Sequence, residues 1–319
     1  SCDSLLVIYA PMAHSLLVTI LLEVNMSKKT LDGIWAPITT PFVNDEVSFD
    51  QLKQNIQKYA KTPLKGYFVL GSNGESKCCT ETEKLQILEL VLKEKAPSQA
   101  IMAGAGYEST RQTIEFSKKV ASMGADFVSL VTPSYFKKSL TDDVLIGFYK
   151  DVAEAVPVPV LIYNAPGFTG ITVSTKVVEA LSQHPNIAGM KDTSPGNIAN
   201  YLDVAAPKFA VLAGTINFLF IGLTLGAKGG VVSLANAFPE PCCELYSKYV
   251  KGDVEGAKKL HSMLFRLNQN VSGAGGVAAV KGAMDFAGYH GGPPRLPLAP
   301  LTDAQKQKIK AAIAAAGLI

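Results

Sequence analysis

The sequence predicts an α/β chain folded as a (β/α)8 TIM barrel with a C-terminal helical extension. Three observations carry that prediction. Eight short, near-continuous apolar runs recur along the chain, of the kind a parallel sheet needs because both of its faces are covered. Amphipathic helical stretches separate them. After the eighth run the chain reads as helix to its end, interrupted by one Gly/Pro-rich loop at 288–300.

The runs lie at 34–41, 66–71, 100–106, 127–133, 158–164, 187–191, 209–214 and 230–235. Between them, Ser48-Phe49-Asp50-Gln51, Thr80-Glu81-Thr82-Glu83 and Ser109-Thr110-Arg111-Gln112 read as capping boxes at helix starts. Leu52, Ile56 and Tyr59 then follow the first of these at helical spacing. Strict strand–helix alternation favours a closed barrel. A doubly wound sheet is the alternative, but it lacks a nucleotide fingerprint. Gly104-Ala105-Gly106 misses the third glycine of GxGxxG, and no GxxxxGK[ST] is present. The expected organisation is an extension at 1–25, a barrel at 26–236, and the last barrel helix with a helical cap at 237–319.

Composition narrows the function. The chain has 319 residues and a formal net charge of +3. The pairs Lys28-Lys29, Lys137-Lys138 and Lys258-Lys259 form no basic stripe with interleaved aromatics, so no nucleic-acid partner is expected. Cys2, Cys78-Cys79 and Cys242-Cys243 offer no CxxC pair, and reduced thiols are the default. His14, His184, His261 and His290 have no HxH or HExxH spacing, which disfavours a metal-dependent aldolase. The apolar stretch 4–24 is broken by Pro11, His14 and Ser15, short of the ~20 uninterrupted residues of a membrane span. It lacks a basic n-region and the arginines of a transit segment. The expectation is therefore a cytoplasmic protein without a membrane partner, with the mitochondrion as the alternative.

In such a barrel chemistry gathers where the strands end. Those ends read Thr39-Thr40-Pro41, Gly71-Ser72-Asn73-Gly74-Glu75, Thr132-Pro133-Ser134-Tyr135, Tyr163-Asn164-Ala165-Pro166, Lys191-Asp192 and Ser233-Leu234-Ala235-Asn236. The set offers an amine and two phenols, with neither a histidine nor the carboxylate pair that glycosidases use. A lysine closing a strand can snorkel to water. Turned inward instead, it loses the solvation that favours ammonium and becomes a nucleophile. Strand alternation then sends Asp192 the other way, and Tyr163 can reach the same space. The 71–74 loop is either a plain turn or a cradle of N–H groups for an anion.

These motifs together resemble the dihydrodipicolinate synthase / N-acetylneuraminate lyase superfamily, from about Gly33 to the C-terminus. The resemblance implies a class I pyruvate-type aldolase with Lys191 as Schiff-base lysine and Tyr163 as proton shuttle. Ser72 and Tyr135 would complete a hydroxyl relay, Tyr135 coming from a neighbouring subunit in a homodimer or homotetramer. Ser72, Asn73 and Gly74 would hold the 2-oxo acid carboxylate, and Phe168 and Val232 would line the substrate pocket. No cofactor or metal is implied beyond the covalent imine on Lys191.

Phe168 stands where synthases carry an arginine, and Ser72-Asn73 where they carry two threonines. Those departures, with Glu108-Ser109-Thr110 and Gly288-Tyr289-His290-Gly291-Gly292-Pro293, resemble more the 4-hydroxy-2-oxoglutarate aldolase branch. The expected reaction is cleavage of that acid, or of a 2-keto-3-deoxy sugar acid, to pyruvate and an aldehyde. The alternatives are condensation of pyruvate with aspartate semialdehyde and a non-catalytic oxo-acid-binding barrel.

Overall fold

The computed structural model describes residues 29–319, so the expected 1–25 extension lies outside the described residues. The 31–319 unit holds a closed barrel of eight parallel strands. They are β1 (Gly33–Ala36), β2 (Gly66–Val69), β3 (Ala100–Gly104), β4 (Phe127–Val131), β5 (Val160–Asn164), β6 (Ile187–Asp192), β7 (Ala210–Ala213) and β8 (Gly229–Val231). Each strand pairs with its sequence neighbours, and β8 closes on β1 through Gly33↔Gly229 and Trp35↔Val231. A closed sheet excludes the doubly wound alternative.

Helices follow the strands in turn: α1 (Phe49–Tyr59), α2 (Glu81–Glu94), α3 (Thr110–Met123), α4 (Asp142–Ala155), α5 (Thr175–Ser182), α6 (Ile198–Val204), α7 (Leu219–Leu225) and α8 (Pro239–Val250). The extension is α9 (Val254–Asn270), α10 (Ser272–Phe286) and α11 (Asp303–Ala315).

Alternation along the strands makes two cores. Trp35, Phe68, Met102, Phe127, Leu161 and Tyr163 are among the side chains that fill the barrel, while the intervening residues pack against the helices. Both layers are apolar, which is why each strand reads as one unbroken run.

The structure departs from expectation at the first run and at Ser48, and it adds a hairpin between them. The first run spans 34–41, yet β1 stops at Ala36 because Pro37 has no N–H to continue the ladder. The chain then makes a short hairpin, Phe42–Val43 against Glu46–Val47, turning on Asn44 (φ 51°) and Asp45 (φ 67°). Two left-handed residues fit the tight turn that such a hairpin favours. Lastly, Ser48 makes no side-chain cap; its N–H is tied to the Pro41 carbonyl at 2.9 Å instead. Thr80 does form the full capping box with Glu83, and Ser109 accepts from the Gln112 N–H.

Candidate active site

Lys191 is next to last in β6 and 2 % exposed. The β5–β6 register sets Tyr163 directly beside it. The two side chains share the barrel interior: Lys191 Nζ lies 4.2 Å from the Tyr163 ring centroid and 4.9 Å from that of Phe68. Phe68 meets Tyr163 edge-on at 5.5 Å and fixes its plane. The Tyr163 hydroxyl shares a 3.3 Å hydrogen bond with Ser72 Oγ. Amine, phenol and serine hydroxyl thus come from β6, β5 and the loop after β2.

Asp192 takes the opposite face. Its Oδ1 accepts from Asn164 Nδ2 at 2.8 Å, from the Ser194 N–H at 2.9 Å and from the Ser194 hydroxyl at 2.6 Å. Burial pushes its carboxyl up, against the pull of those hydrogen bonds. Among the described residues no carboxylate forms an ion pair with Lys191.

The loop after β2 is held in an unusual shape. Leu70 (φ 62°) and Glu75 (φ 53°) are both left-handed. Among the described residues no hydrogen bond uses the N–H of Ser72, Asn73 or Gly74, so three successive donors are free. Successive unpaired N–H groups of this kind can hold an anion. The Asn73 side chain is committed elsewhere, donating to Ser233 Oγ at 2.9 Å. The Gly74 carbonyl accepts from the Thr40 hydroxyl at 2.8 Å.

A cavity of about 800 Å³ opens above this group. Ser72, Tyr163, Phe168 and Ser134 are part of its wall. Lys191 is not; its amine rests against Phe68 and Tyr163, which are. Phe168 rides on the single helical turn Pro166–Thr169 and is 71 % exposed.

Asn73, Gly74 and Val232, all expected to bind substrate, are absent from that wall. Strand β8 ends with Val231 facing inward, so Val232 turns outward into the helix-packed core, fully buried. Tyr135 is also apart from Tyr163 within one chain. It is 81 % exposed, packs edge-on against Phe136 at 5.1 Å, and gives its N–H to Glu108 at 3.0 Å.

Other parts of the cavity escaped the sequence reading. Gly276 (φ 54°) breaks α10, and Gly275, Gly276, Val277 and Ala278 form one side of the mouth. The glycine-rich segment 273–276 was a visible signal for that break. Lys77 and Lys84 converge on Tyr107, whose hydroxyl accepts from Lys84 at 3.3 Å. Burial lowers the pKa of both amines. Among the described residues no three His, Cys, Asp or Glu side chains gather as a metal site.

A buried lysine against a tyrosine at the C-terminal mouth of a (β/α)8 barrel defines the Schiff-base type of carbon–carbon lyase, which works without a metal. The chain belongs to the dihydrodipicolinate synthetase family, whose model matches residues 30–316. It is 33 % identical over 292 residues to an uncharacterized DapA-like lyase of Halobacterium salinarum, covering 91 % of this chain and 95 % of that one. It is 32 % identical over 279 residues to a protein of Emericella nidulans named "Probable 4-hydroxy-2-oxoglutarate aldolase, mitochondrial", covering 85 % and 90 %. The chloride-inhibited dihydrodipicolinate synthase of Acinetobacter baumannii, solved with pyruvate, superposes with a TM-score of 0.86 at 29 % identity, covering 91 % and 100 %.

Proposed function

We propose that the chain cleaves a 4-hydroxy-2-oxo acid to pyruvate and an aldehyde, with Lys191 as the imine-forming residue. One observation carries the reading: the Lys191 amine and the Tyr163 phenol share the barrel interior, and the Tyr163 hydroxyl is joined to Ser72 beside three free N–H groups. The free N–H groups of Ser72, Asn73 and Gly74 suit the substrate carboxylate, with Ser72 Oγ as a fourth donor.

The uncharged Lys191 amine attacks C2 of the substrate, and loss of water leaves a cationic imine. Tyr163 takes the C4 hydroxyl proton while the C3–C4 bond breaks, and its electron pair moves into the imine. The aldehyde departs. The enamine is protonated at C3, and water hydrolyses the imine to pyruvate and free lysine. No redox partner enters the balance.

Phe168 brings no charge to the mouth, which favours an uncharged aldehyde such as glyceraldehyde, the kind of product a 2-keto-3-deoxy sugar acid gives, over aspartate semialdehyde. The synthase names among the relatives favour the second reading. Tyr135, 81 % exposed and without a hydrogen bond or ring contact to Tyr163 among the described residues, fits a tyrosine offered to a neighbouring copy, hence a homodimer or homotetramer. Among the described residues no helix is long and apolar enough to cross a membrane. We place the enzyme in the cytoplasm; the mitochondrial label of the Emericella relative makes that compartment the alternative.

Borohydride reduction in the presence of pyruvate tests the chemistry, and should add one pyruvate-derived group at Lys191. A label on another residue, or none, sinks the assignment. Pyruvate release from 4-hydroxy-2-oxoglutarate and from 2-keto-3-deoxy sugar acids, run beside condensation with aspartate semialdehyde, separates the substrate readings.

A further inference from the structure

We propose that Glu75 and Lys281 are positioning residues, holding the free N–H groups of Ser72, Asn73 and Gly74 and the Ser72 hydroxyl in place against Tyr163. The inference rests on the reading of that loop as the carboxylate cradle.

Both side chains of the pair are fully buried, with Lys281 Nζ 2.8 Å from Glu75 Oε1. Lys281 donates to two more acceptors, the carbonyls of Thr40 and Pro293, each at 2.8 Å, which uses all three ammonium protons. Glu75 Oε2 accepts from the Arg295 backbone N–H at 2.8 Å. One ion pair thereby joins four segments: the loop after β1, the loop after β2, helix α10, and the strap that follows α10.

Within the loop, the Glu75 N–H donates to the Ser72 carbonyl at 3.0 Å, the Ser76 N–H to that of Gly71 at 3.4 Å and the Cys78 N–H to that of Glu75 at 2.8 Å; ties from the cradle to the rest of the barrel are few. Asn73 holds Ser233, the Gly74 carbonyl holds Thr40, and Ser72 meets Tyr163. Thr40 is itself held by Lys281, so the Gly74 tie leads back to the same amine. The left-handed backbone of Glu75 persists only where its surroundings over-determine it, and the ion pair supplies that constraint. Breaking such a pair strands a charge in a dry site. In Glu75→Gln that charge is the Lys281 ammonium, and the loop, no longer tied to α10 by an ion pair, is free to carry the cradle away from Tyr163.

Arg295 supplies the control. Its guanidinium grips Glu83 on α2 at 2.7 Å and 2.9 Å and the Cys78 carbonyl, three residues past Glu75, at 2.9 Å, and only its backbone touches Glu75. Replacing that side chain loosens the same strap and leaves the Glu75–Lys281 pair intact.

The experiment measures the pyruvate concentration giving half-maximal borohydride trapping, well below the melting temperature of each variant. Glu75→Gln should raise it about tenfold or more, the cost of one well-placed contact. Arg295→Met should melt earlier and stay within about twofold of wild type. A purely structural role predicts that both variants melt early and trap at the wild-type concentration; that result, or an equal shift in both, overturns the proposal. Should Glu75→Gln fail to fold, Glu75→Gln/Lys281→Met buries no unpaired charge and is read the same way. Wild-type protein that pyruvate does not trap overturns the cradle reading itself, and this proposal with it.

Discussion

The two ends of the barrel interior are built from the same strands by opposite rules. At the N-terminal end Trp35 and Phe127 meet edge-on at 6.0 Å, and glycines make room for them. A Cβ on Gly66 would stand 2.7 Å from the Trp35 ring, and one on Gly229 would stand 2.0 Å from the Gly33 carbonyl. Trp35 even satisfies its indole N–H locally, on the Asp32 carbonyl at 3.0 Å. At the C-terminal end, among the described residues, Lys191 has aromatic faces rather than a counter-ion, three N–H groups are unclaimed, and the buried Ser129 hydroxyl has no partner. One end is finished by folding, and the other by a ligand. Stability and chemistry are thereby separated along a few strand residues.

That separation can be broken by substitution at each end. Lys191→Ala should abolish cleavage, a loss of roughly 10³-fold or more on the scale seen when a nucleophile is removed, while the protein melts near its wild-type temperature. Retained turnover would show that the chemistry is elsewhere. Trp35→Ala should do the reverse, costing about 3–5 kcal/mol in denaturant unfolding while the folded fraction is still trapped by pyruvate. Loss of trapping from a folded Trp35→Ala protein would mean that the ends are coupled.

Acid sharpens the comparison, because the clamp on α2 is ionic whereas the apolar barrel floor is not. Arg295 holds the Glu83 carboxyl down to about 2, chiefly by hydrogen bonding. A depressed carboxyl contributes stability that is fully present above the ordinary carboxylate range and is lost as pH falls toward 2. Wild type should therefore lose melting temperature more steeply than Arg295→Met between pH 5 and pH 2. Parallel curves would remove Glu83 from the account. The smallest effects lie outside the barrel. Thr80→Ala should cost about 1 kcal/mol, whereas Ser48→Ala should fall within about 0.5 kcal/mol because Ser48 caps nothing.

Much of this was legible in the sequence where a pattern repeats or a residue acts through its own strand. Period-two alternation set Lys191 and Asp192 on opposite faces, the resemblance chose which of them turned inward, and continuous apolar runs marked each barrel strand. Helical caps were less secure, since Ser48 has the right neighbours and loses its N–H to Pro41. Val232 went wrong by a single residue, because alternation fixes a face only once the strand's phase is known. The Glu75–Lys281 pair was invisible for another reason. Its partners lie 206 positions apart, and a lysine in an apolar helix gives no sign of which loop it will meet.

The outward turn of Asp192 has a consequence for which molecules react. A protonated imine on Lys191 would carry a fixed positive charge at a point where, among the described residues, no carboxylate is paired with the lysine. A keto acid brings that neutralising group attached to its own reacting carbon, whereas acetone or a simple aldehyde arrives without one. Discrimination against plain ketones would then come from an omission in the chamber, with the guest required to complete the electroneutrality of its own intermediate.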